Sequence, residues 1–166
     1  DSVVTLDLTI NTSPTVDLGN DTILCSGTTI DLNARSGFNY LWQDGTNDSI
    51  LTASTTGEYS VTVTDGNGCK DSDTINVTLA TPLVVTLDST NITCNGLIDG
   101  TATATASGGT PNYSYLWNDA NAQTTDTATN LTSGTYTVSI TDDNNCTTTG
   151  SISIAEPTLL SATTQE

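Results

Sequence analysis

The chain has 166 residues and a formal charge of −17, from 19 acidic and 2 basic residues, and it contains no histidine. This charge excludes nucleic acid and anionic membrane surfaces as electrostatic partners, because almost nothing basic is available to hold a phosphate. No apolar run approaches the roughly 18 residues that a membrane-spanning helix needs, so we expect no direct membrane insertion.

Alternation of apolar and polar residues predicts half-buried β-strands along the chain. The 37 threonines agree with this, because β-branched side chains lose rotamer freedom in helices. Several short strands with turn signals between them predict an all-β fold made of β-sandwiches. The alternating sets are, in chain order, Val4, Leu6, Leu8 and Ile10; Ile30 and Leu32; Tyr59, Val61 and Val63; Ile75, Val77 and Leu79; Val85 and Leu87; Ala102, Ala104 and Ala106; Tyr113, Tyr115 and Trp117; Tyr136, Val138 and Ile140; Ile152 and Ile154.

The chain repeats itself once, which predicts two tandem Ig-like sandwich modules. We expect a first module over residues 13–81 and a second over 82–158. Residues 1–12 are predicted to be the last strand of a preceding module or a linker, and 159–166 the start of a following module. The repeated features are Cys25, Trp42, segment 57–65 and Cys69, which recur as Cys94, Trp117, segment 134–142 and Cys146.

The four cysteines are predicted to form one disulfide inside each module. Four cysteines permit three pairings, and the repeat favours Cys25 with Cys69 and Cys94 with Cys146 because each pair then occupies equivalent places. Each bridge would stabilise a small module by about 4 kcal/mol and would persist only outside a reducing cytoplasm. A zinc site is disfavoured, since the chain has no Cys-x-x-Cys pair and no histidine.

The predicted core of each module contains one tryptophan and one tyrosine, Trp42 with Tyr59 and Trp117 with Tyr136. A tryptophan between two cysteines is typical of immunoglobulin domains, where it fills the core. The second cysteine lies ten residues after the tyrosine in both modules, instead of two as in immunoglobulins. We therefore expect each bridge to join the start of the second strand to the last turn, at one pole of the sandwich.

The second module resembles the SprB-type repeat of Bacteroidota surface adhesins, and the first resembles the PKD-like, immunoglobulin-like modules found beside such repeats. The resemblance implies a large protein exported by type IX secretion to the exterior of the outer membrane, serving in adhesion or gliding motility. The residues that carry it are Ile92-Thr93-Cys94-Asn95-Gly96, Asp99-Gly100, Ala106-Ser107-Gly108-Gly109-Thr110-Pro111-Asn112-Tyr113, Tyr115-Leu116-Trp117-Asn118, Leu131-Thr132-Ser133-Gly134-Thr135-Tyr136 and Asp142-Asp143-Asn144-Asn145-Cys146, with Leu24-Cys25-Ser26-Gly27, Tyr40-Leu41-Trp42 and Thr64-Asp65-Gly66-Asn67-Gly68-Cys69 in the first module.

Calcium is the metal that the acidic turns would suit, because it takes six to eight hard oxygen ligands. The competing interpretation is that these side chains only initiate Asx-turns, and we favour it since no EF-hand loop is present. No other cofactor is expected. The candidate ligands are Asp65, Asn67, Asp71, Asp142, Asp143 and Asn144.

Six triplets, in which Asp is followed by Ser or Thr and then by an apolar residue or Thr, match the O-glycosylation acceptor motif associated with secreted Bacteroidota proteins. Glycans there would shield strand edges and loops. The candidate acceptors are Ser2, Thr22, Ser49, Thr74, Ser89 and Thr127.

Two functions remain open, and neither is enzymatic. Catalysis is disfavoured because there is no histidine for general-base work and Arg35 and Lys70 are the only cations. The first function is a structural stalk or filament segment, whose partners are neighbouring modules of the same chain or identical chains. The alternative is a carbohydrate-binding module that stacks Tyr40, Tyr113 or Tyr115 on a surface polysaccharide. We favour the stalk because aromatic residues are only 5% of the chain.

Overall fold

The computed structural model describes residues 12–161. Every regular element in this range is a β-strand, and the chain divides into two compact units between Leu79 and Ala80. Most of the predicted terminal segments 1–12 and 159–166 lies outside the described residues. We call the unit that ends at Leu79 unit 1 and the unit that begins at Ala80 unit 2.

Unit 1 is a sandwich of two sheets. A four-stranded sheet has the order β1-β6-β5-β3, and β2 pairs with β4 in a second sheet. All pairs are antiparallel except β1 with β6, which is parallel. The strands are β1 (Thr22–Leu24), β2 (Ile30–Asn33), β3 (Asn39–Trp42), β4 (Ile50–Ala53), β5 (Gly57–Thr64) and β6 (Lys70–Leu79).

The segment before β1 continues the parallel pairing with β6, but through carboxylates. Thr22 pairs with Val77, 55 positions on. Earlier in the segment, the Val16 amide donates to Asp71 Oδ2 at 2.8 Å and the Leu18 amide to Asp73 Oδ2 at 2.6 Å, again 55 positions apart. Aspartate side chains thus continue the pairing with β6 in the segment before β1 begins. They also hold the buried Val16 against the core.

Unit 2 has two three-stranded sheets, in the orders β10-β8-β7 and β12-β11-β9. Its first strand pairs antiparallel with the second, so it lies in the opposite sheet from the first strand of unit 1. The strands are β7 (Val84–Thr90), β8 (Gly100–Ser107), β9 (Ser114–Trp117), β10 (Thr127–Leu131), β11 (Gly134–Thr141) and β12 (Thr147–Ile154).

Gly150 on β12 makes room for side chains of β7. A Cβ atom at this position would lie 2.9 Å from Leu87 Cδ1 and 3.0 Å from Val85 Cγ1. Both distances are at or below the limit that real Cβ atoms tolerate, so a larger residue would push β7 away from β12. The missing side chain therefore allows the first strand of unit 2 to pack against the facing sheet.

Each unit has its own hydrophobic core between its sheets. The inward-facing residues of the strands predicted from alternation form these cores, and the predicted all-β, Ig-like fold is confirmed. Within residues 12–161, no buried side-chain nitrogen or oxygen lacks a hydrogen-bond partner. The most buried large side chains are Leu32, Trp42, Val61, Val63, Ile75 and Val77 in unit 1, and Trp117, Val138 and Ile140 in unit 2.

Candidate functional site

The two tryptophans occupy equivalent core positions. Trp42 is 2% exposed and Trp117 is 1% exposed. The Trp42 ring nitrogen donates to the Asp48 carbonyl at 2.8 Å, and that of Trp117 donates to the Thr125 carbonyl at 3.0 Å. A buried indole N–H needs such a partner. Neither ring can stack on a ligand at the surface.

The two tyrosines form the same corner in both units. The Tyr59 hydroxyl donates to the Thr55 carbonyl at 2.9 Å, and the Tyr136 hydroxyl donates to the Thr132 carbonyl at 3.1 Å. A tyrosine hydroxyl bonded to the backbone a few residues upstream is a feature of Ig-like sandwiches. Tyr59 is buried and Tyr136 is half-buried, so both fix the loop that precedes their strand.

The candidate calcium ligands Asp65 and Asp142 each organise a tight turn. Asp65 Oδ1 accepts the amides of Asn67 at 2.9 Å and Cys69 at 2.8 Å. Asp142 Oδ1 accepts the equivalent amides of Asn144 at 3.0 Å and Cys146 at 2.8 Å. These are Asx-turns, the interpretation that the sequence favoured over ion binding.

Asp142 also holds a second loop through its other oxygen. Oδ2 accepts the Thr110 amide at 2.8 Å, and it lies 2.6 Å from where a Cβ atom of Gly109 would stand. Gly109 has φ +58, in the left-handed region that favours glycine. The Gly108-Gly109-Thr110 motif therefore serves the close approach of this loop to a carboxylate.

These hydrogen bonds lower the pKa of Asp142 below its ordinary value. The hydrogen bond from the Thr110 amide lowers the pKa of Asp142 most, and those from the Cys146 and Asn144 amides lower it further, whereas partial burial raises it. Amides donated to a carboxylate favour its charged form. Asp142 is therefore a fixed acceptor at the last turn of unit 2.

The remaining candidate ligands are not gathered around a common point. Asp71 accepts the Val16 amide, Asn144 Nδ2 donates to Thr110 Oγ1 at 2.6 Å, and Asp143 and Asn67 are exposed. Between residues 12 and 161, no group of three or more His, Cys, Asp or Glu could hold a metal ion.

The disulfide pairing predicted for unit 1 is wrong in the structure. Cys69 is a free thiol, whereas Cys25 is disulfide-bonded. Cys25 follows Leu24, which pairs with Leu79, the last residue of β6. Cys69 directly precedes Lys70, the first residue of β6, so the two cysteines lie at opposite ends of this strand. At about 3.3 Å per residue the two cysteines are roughly 30 Å apart. A disulfide needs Cα atoms within about 7 Å, so this pair cannot close.

The same separation rules out the pairing predicted for unit 2. Cys146 is disulfide-bonded and immediately precedes β12, but Cys94 is a free, exposed thiol. Cys94 lies beside the far end of β12, because the neighbouring Ile92 amide donates to the Ala155 carbonyl at 3.0 Å and Asn95 Nδ2 donates to the Pro157 carbonyl at 3.1 Å. The length of β12 again separates the two cysteines by roughly 30 Å. In both units the cysteines therefore lie at opposite poles, and not at one pole as expected.

The candidate glycan acceptors differ in exposure. Thr74 is exposed, while Thr22, Ser49, Ser89 and Thr127 are half-buried. Thr127 Oγ1 is also bonded to Thr103 Oγ1 at 3.1 Å. Ser2 lies outside the described residues. Among the five candidates within the described residues, Thr74 is thus the one whose side chain is exposed.

The tyrosines proposed as sugar platforms are partly engaged within the protein. The Tyr40 hydroxyl donates to the Arg35 carbonyl at 2.7 Å, and the Tyr113 hydroxyl donates to the Gly108 carbonyl at 2.6 Å. Tyr40, Tyr113 and Tyr115 are all half-buried and pack against the cores. Only part of each side chain is therefore accessible to solvent.

Sequence reasoning missed two other aspartates that organise loops of unit 2. Asp119 is buried and accepts the Gln123 amide at 2.9 Å, the Gln123 side chain at 3.0 Å and the Asn121 amide at 3.0 Å. Its burial raises the pKa, but these hydrogen bonds outweigh burial and leave it lowered. Asp99 accepts the amide and hydroxyl of Thr93, which lowers its pKa. The Asp99-Gly100 motif was the available signal.

Comparison with known proteins supports the fold and the nature of unit 2. The family model of the SprB repeat matches residues 86–122. No curated protein matches the chain in sequence. Within the described residues, no helix has the length and apolar character required to cross a membrane.

Among solved structures, the chain is similar to the N-terminal eight Ig domains of Down Syndrome Cell Adhesion Molecule, with a TM-score of 0.59 and 10% identity over 85% of this chain and 24% of that chain. It is also similar to Drosophila OTK extracellular domains 3-5, with a TM-score of 0.47 and 12% identity over 81% of this chain and 58% of that chain. A further similarity is to a three-Ig-domain structure of titin, with a TM-score of 0.41 and 14% identity over 81% of this chain and 62% of that chain. The chain thus spans less than two thirds of each.

At 10% identity, the first of these similarities establishes the fold alone. The predicted resemblance is confirmed, since the SprB match falls within the second unit and the structural neighbours are Ig domains. Residues 86–122 of unit 2 are therefore similar to the SprB repeat, and the chain has an immunoglobulin-like fold.

Proposed function

We propose that this chain is a non-catalytic structural segment of a large surface adhesin. In this role the two units act as a spacer that carries another part of the protein away from the cell. The observation that carries the proposal is that both units use their most binding-competent side chains, Trp42 and Trp117, as core. An aromatic platform for sugar requires such rings at the surface.

The loops give the proposal a second support. In a binding module, loops at the ends of the sandwich are free to contact a ligand. Here the carboxylates of Asp65, Asp99, Asp119 and Asp142 each accept two or more hydrogen bonds from nearby groups of their own loops. Polar groups already bonded within the protein have little capacity left for recognition.

The finer parts of the proposal follow from the SprB similarity. We propose export to the outside of the cell surface through type IX secretion, and a contribution to adhesion or gliding. Neighbouring modules of the same chain are the proposed partners, and Thr74 is the proposed first site of glycan attachment because it is exposed in β6.

A replacement experiment in the producing cell tests the spacer role. Residues 12–161 of the parent protein are replaced by two unrelated Ig-like sandwiches of the same length, and attachment of cells to a surface is measured. A spacer contributes length and stiffness, so we expect attachment to be retained. A deletion of the same residues, which shortens the protein, is the matched control and should weaken it.

The opposite pattern would favour the carbohydrate-binding alternative. If the replaced protein is displayed on cells but attachment is lost, the segment itself recognises a ligand. Binding of the purified chain to an array of surface polysaccharides would then identify the ligand class. A chain that binds none of them, together with retained attachment, supports the spacer.

A further inference from the structure

The cysteines of the two units are equivalent in local structure as well as in sequence. The Thr28 amide donates to the Cys25 carbonyl at 3.0 Å, and the Leu97 amide donates to the Cys94 carbonyl at 3.1 Å. Both turns contain a glycine with positive φ, Gly27 and Gly96. Cys25 and Cys94 thus begin the same turn in their respective units.

The cysteines of the last turns are equivalent in the same way. The Asp65 amide donates to the Cys69 carbonyl at 2.9 Å, and the Asp142 amide donates to the Cys146 carbonyl at 3.0 Å. Each cysteine therefore closes an aspartate turn at the opposite pole of its unit from the first cysteine.

One member of each equivalent pair is bonded and the other is free. Cys25 and Cys146 are disulfide-bonded, whereas Cys94 and Cys69 are free thiols. The bonded members show that both local environments accept a disulfide. Neither free thiol can use the other cysteine of its own unit, because roughly 30 Å of strand lies between them.

The surroundings of Cys94 leave space for a partner. Cys94 is exposed and lines an open cavity of about 250 Å³ together with Thr93, Asn95 and residues 157–160. The exposed Leu159 and Leu160 form part of the lining. The loop itself is held in place, because the Gly96 amide donates to Glu156 Oε1 at 2.5 Å.

We propose that Cys94 forms a disulfide with the aspartate-turn cysteine of another unit of this kind. Cys69 is itself an aspartate-turn cysteine, and it forms the same type of disulfide with the Cys94-type cysteine of another unit. Successive units would then be linked head to tail, from the turn of Cys94 to a turn of the Cys69 type. The bond requires an oxidant, for which a small-molecule disulfide such as oxidised glutathione suffices. The Cys94 thiolate attacks this disulfide and releases one thiol, and the second cysteine displaces the other, so that two protons and two electrons leave the protein thiols.

A second copy of the chain is the probe, since it presents Cys69 at its aspartate turn. Full-length Cys69→Ser and Cys94→Ser variants are each incubated with oxidised glutathione, separately and mixed, at high salt to screen repulsion between chains of charge −17. Dimers are detected on non-reducing gels, and linked peptides are identified by mass spectrometry. Thermal unfolding of both variants checks that they are folded.

We expect each variant alone to remain monomeric and the mixture to give a dimer linked through Cys94 and Cys69. The unmodified chain should give a ladder of linear multimers, as a head-to-tail contact does not close on itself. Equal dimer yields from the separate variants would show random pairing of exposed thiols and overturn the proposal. So would the absence of a mixed dimer, or peptides that join Cys25 to Cys69 or Cys94 to Cys146.

The result is separable from the spacer role. The absence of a mixed dimer would leave the cell-attachment experiment unaffected, and loss of attachment after replacement would leave the disulfide proposal unaffected.

Discussion

The two units place their first strand on opposite sheets, and inward positions of their last strands differ as well. In unit 1, β1 joins β6 in parallel, whereas in unit 2, β7 joins β8 antiparallel. One such position is Asp73 in unit 1, opposite Val61, and Gly150 in unit 2, opposite Val138.

Each residue suits a different neighbour. The Asp73 carboxylate accepts the Leu18 amide and draws the first segment along β6. Gly150 instead leaves a hollow that Val85 and Leu87 fill from the facing sheet. Two sandwiches with the same tryptophan, tyrosine and turn thus differ at their edge, where Asp73 offers a hydrogen-bond acceptor and Gly150 offers space.

The largest effect is expected from removing one tryptophan at a time. Trp42→Ala and Trp117→Ala should each destabilise their own unit by about 3–5 kcal/mol, since each empties the centre of a core. Urea unfolding followed by fluorescence of the remaining tryptophan measures the other unit, which should be unchanged. Trp→Phe variants serve as milder controls. A joint loss of both units would show that they are not independent folding units.

The hollow at Gly150 can be tested by filling it. Gly150→Val should destabilise unit 2 by about 1–3 kcal/mol, because the new side chain overlaps Val85 and Leu87. The matched control is Thr149→Val, which places the same valine side chain at the neighbouring exposed position of the same strand, where it exchanges a hydroxyl for a methyl group. Urea midpoints compare the two variants. Equal midpoints would mean that the hollow does not determine the packing of β7.

The acceptor at Asp73 can be tested by removing it. Asp73→Ala should cost unit 1 about 1–3 kcal/mol by leaving the Leu18 amide without a partner. Hydrogen exchange of that amide should become fast, while Asp73→Asn, which keeps an acceptor oxygen, should retain part of the protection. Thr74→Ala on the exposed face is the control. Unaltered hydrogen exchange of the Leu18 amide in Asp73→Ala would show that Asp73 does not hold this amide.

Acid is expected to destabilise the two units to different extents, and this difference should be smaller than the effects of the substitutions above. Lowered pKa values are found for Asp99, Asp119 and Asp142 in unit 2 and for Asp44 in unit 1. A carboxyl with a lowered folded-state pKa contributes stability above its unfolded pKa of about 3.9, and this stability is lost as pH falls through the folded-state pKa. Unit 2 should therefore lose more stability than unit 1 below about pH 4.

Single-tryptophan variants allow this difference to be measured. In Trp42→Phe the remaining tryptophan reports on unit 2, and in Trp117→Phe it reports on unit 1. Urea midpoints over an acid pH series should fall further for unit 2, and Asp142→Asn should reduce the difference. A larger fall in unit 1 would contradict the assignment.

The smallest effect is expected from metal removal. The carboxylate oxygens of Asp65 and Asp142 accept backbone amides in the same pattern, so both turns are satisfied without an ion. We expect the melting midpoint of the chain to be the same in EDTA and in millimolar-range calcium. A rise in the melting midpoint with calcium, but not with magnesium, would show that the chain binds calcium specifically and would contradict this prediction.

The sequence was sufficient for the fold because inward residues alternate regularly in the long strands. Val61 and Val63 in β5 and Val138 and Ile140 in β11 are examples, and all four are buried. The strands β1, β3, β4 and β10 are absent from the alternating sets, and each offers only three to five residues in which to recognise a pattern. Such strands are defined by their partners and not by a pattern of their own.

The disulfide error has a related cause. A repeat makes equivalent cysteines easy to recognise, but it does not reveal which pole of a sandwich each one occupies. That depends on the direction of β1 along β6, and this pairing is set partly by the carboxylates of Asp71 and Asp73. The candidate calcium ligands were ambiguous for another reason: Asx-turns and cation sites use the same residue types, so the sequence alone does not show that Asp65 and Asp142 accept backbone amides of their own turns.

The pairing of aspartates with backbone amides also bears on resistance to digestion. Because main-chain N–H groups supply the positive partners of many carboxylates, the fold needs few lysines and arginines, and a trypsin-like protease finds only Arg35 and Lys70. Lys70 is the first residue of β6 and pairs with Thr64, which protects its peptide bonds. Arg35 lies exposed in a loop, so a single accessible cleavage point remains on these two units.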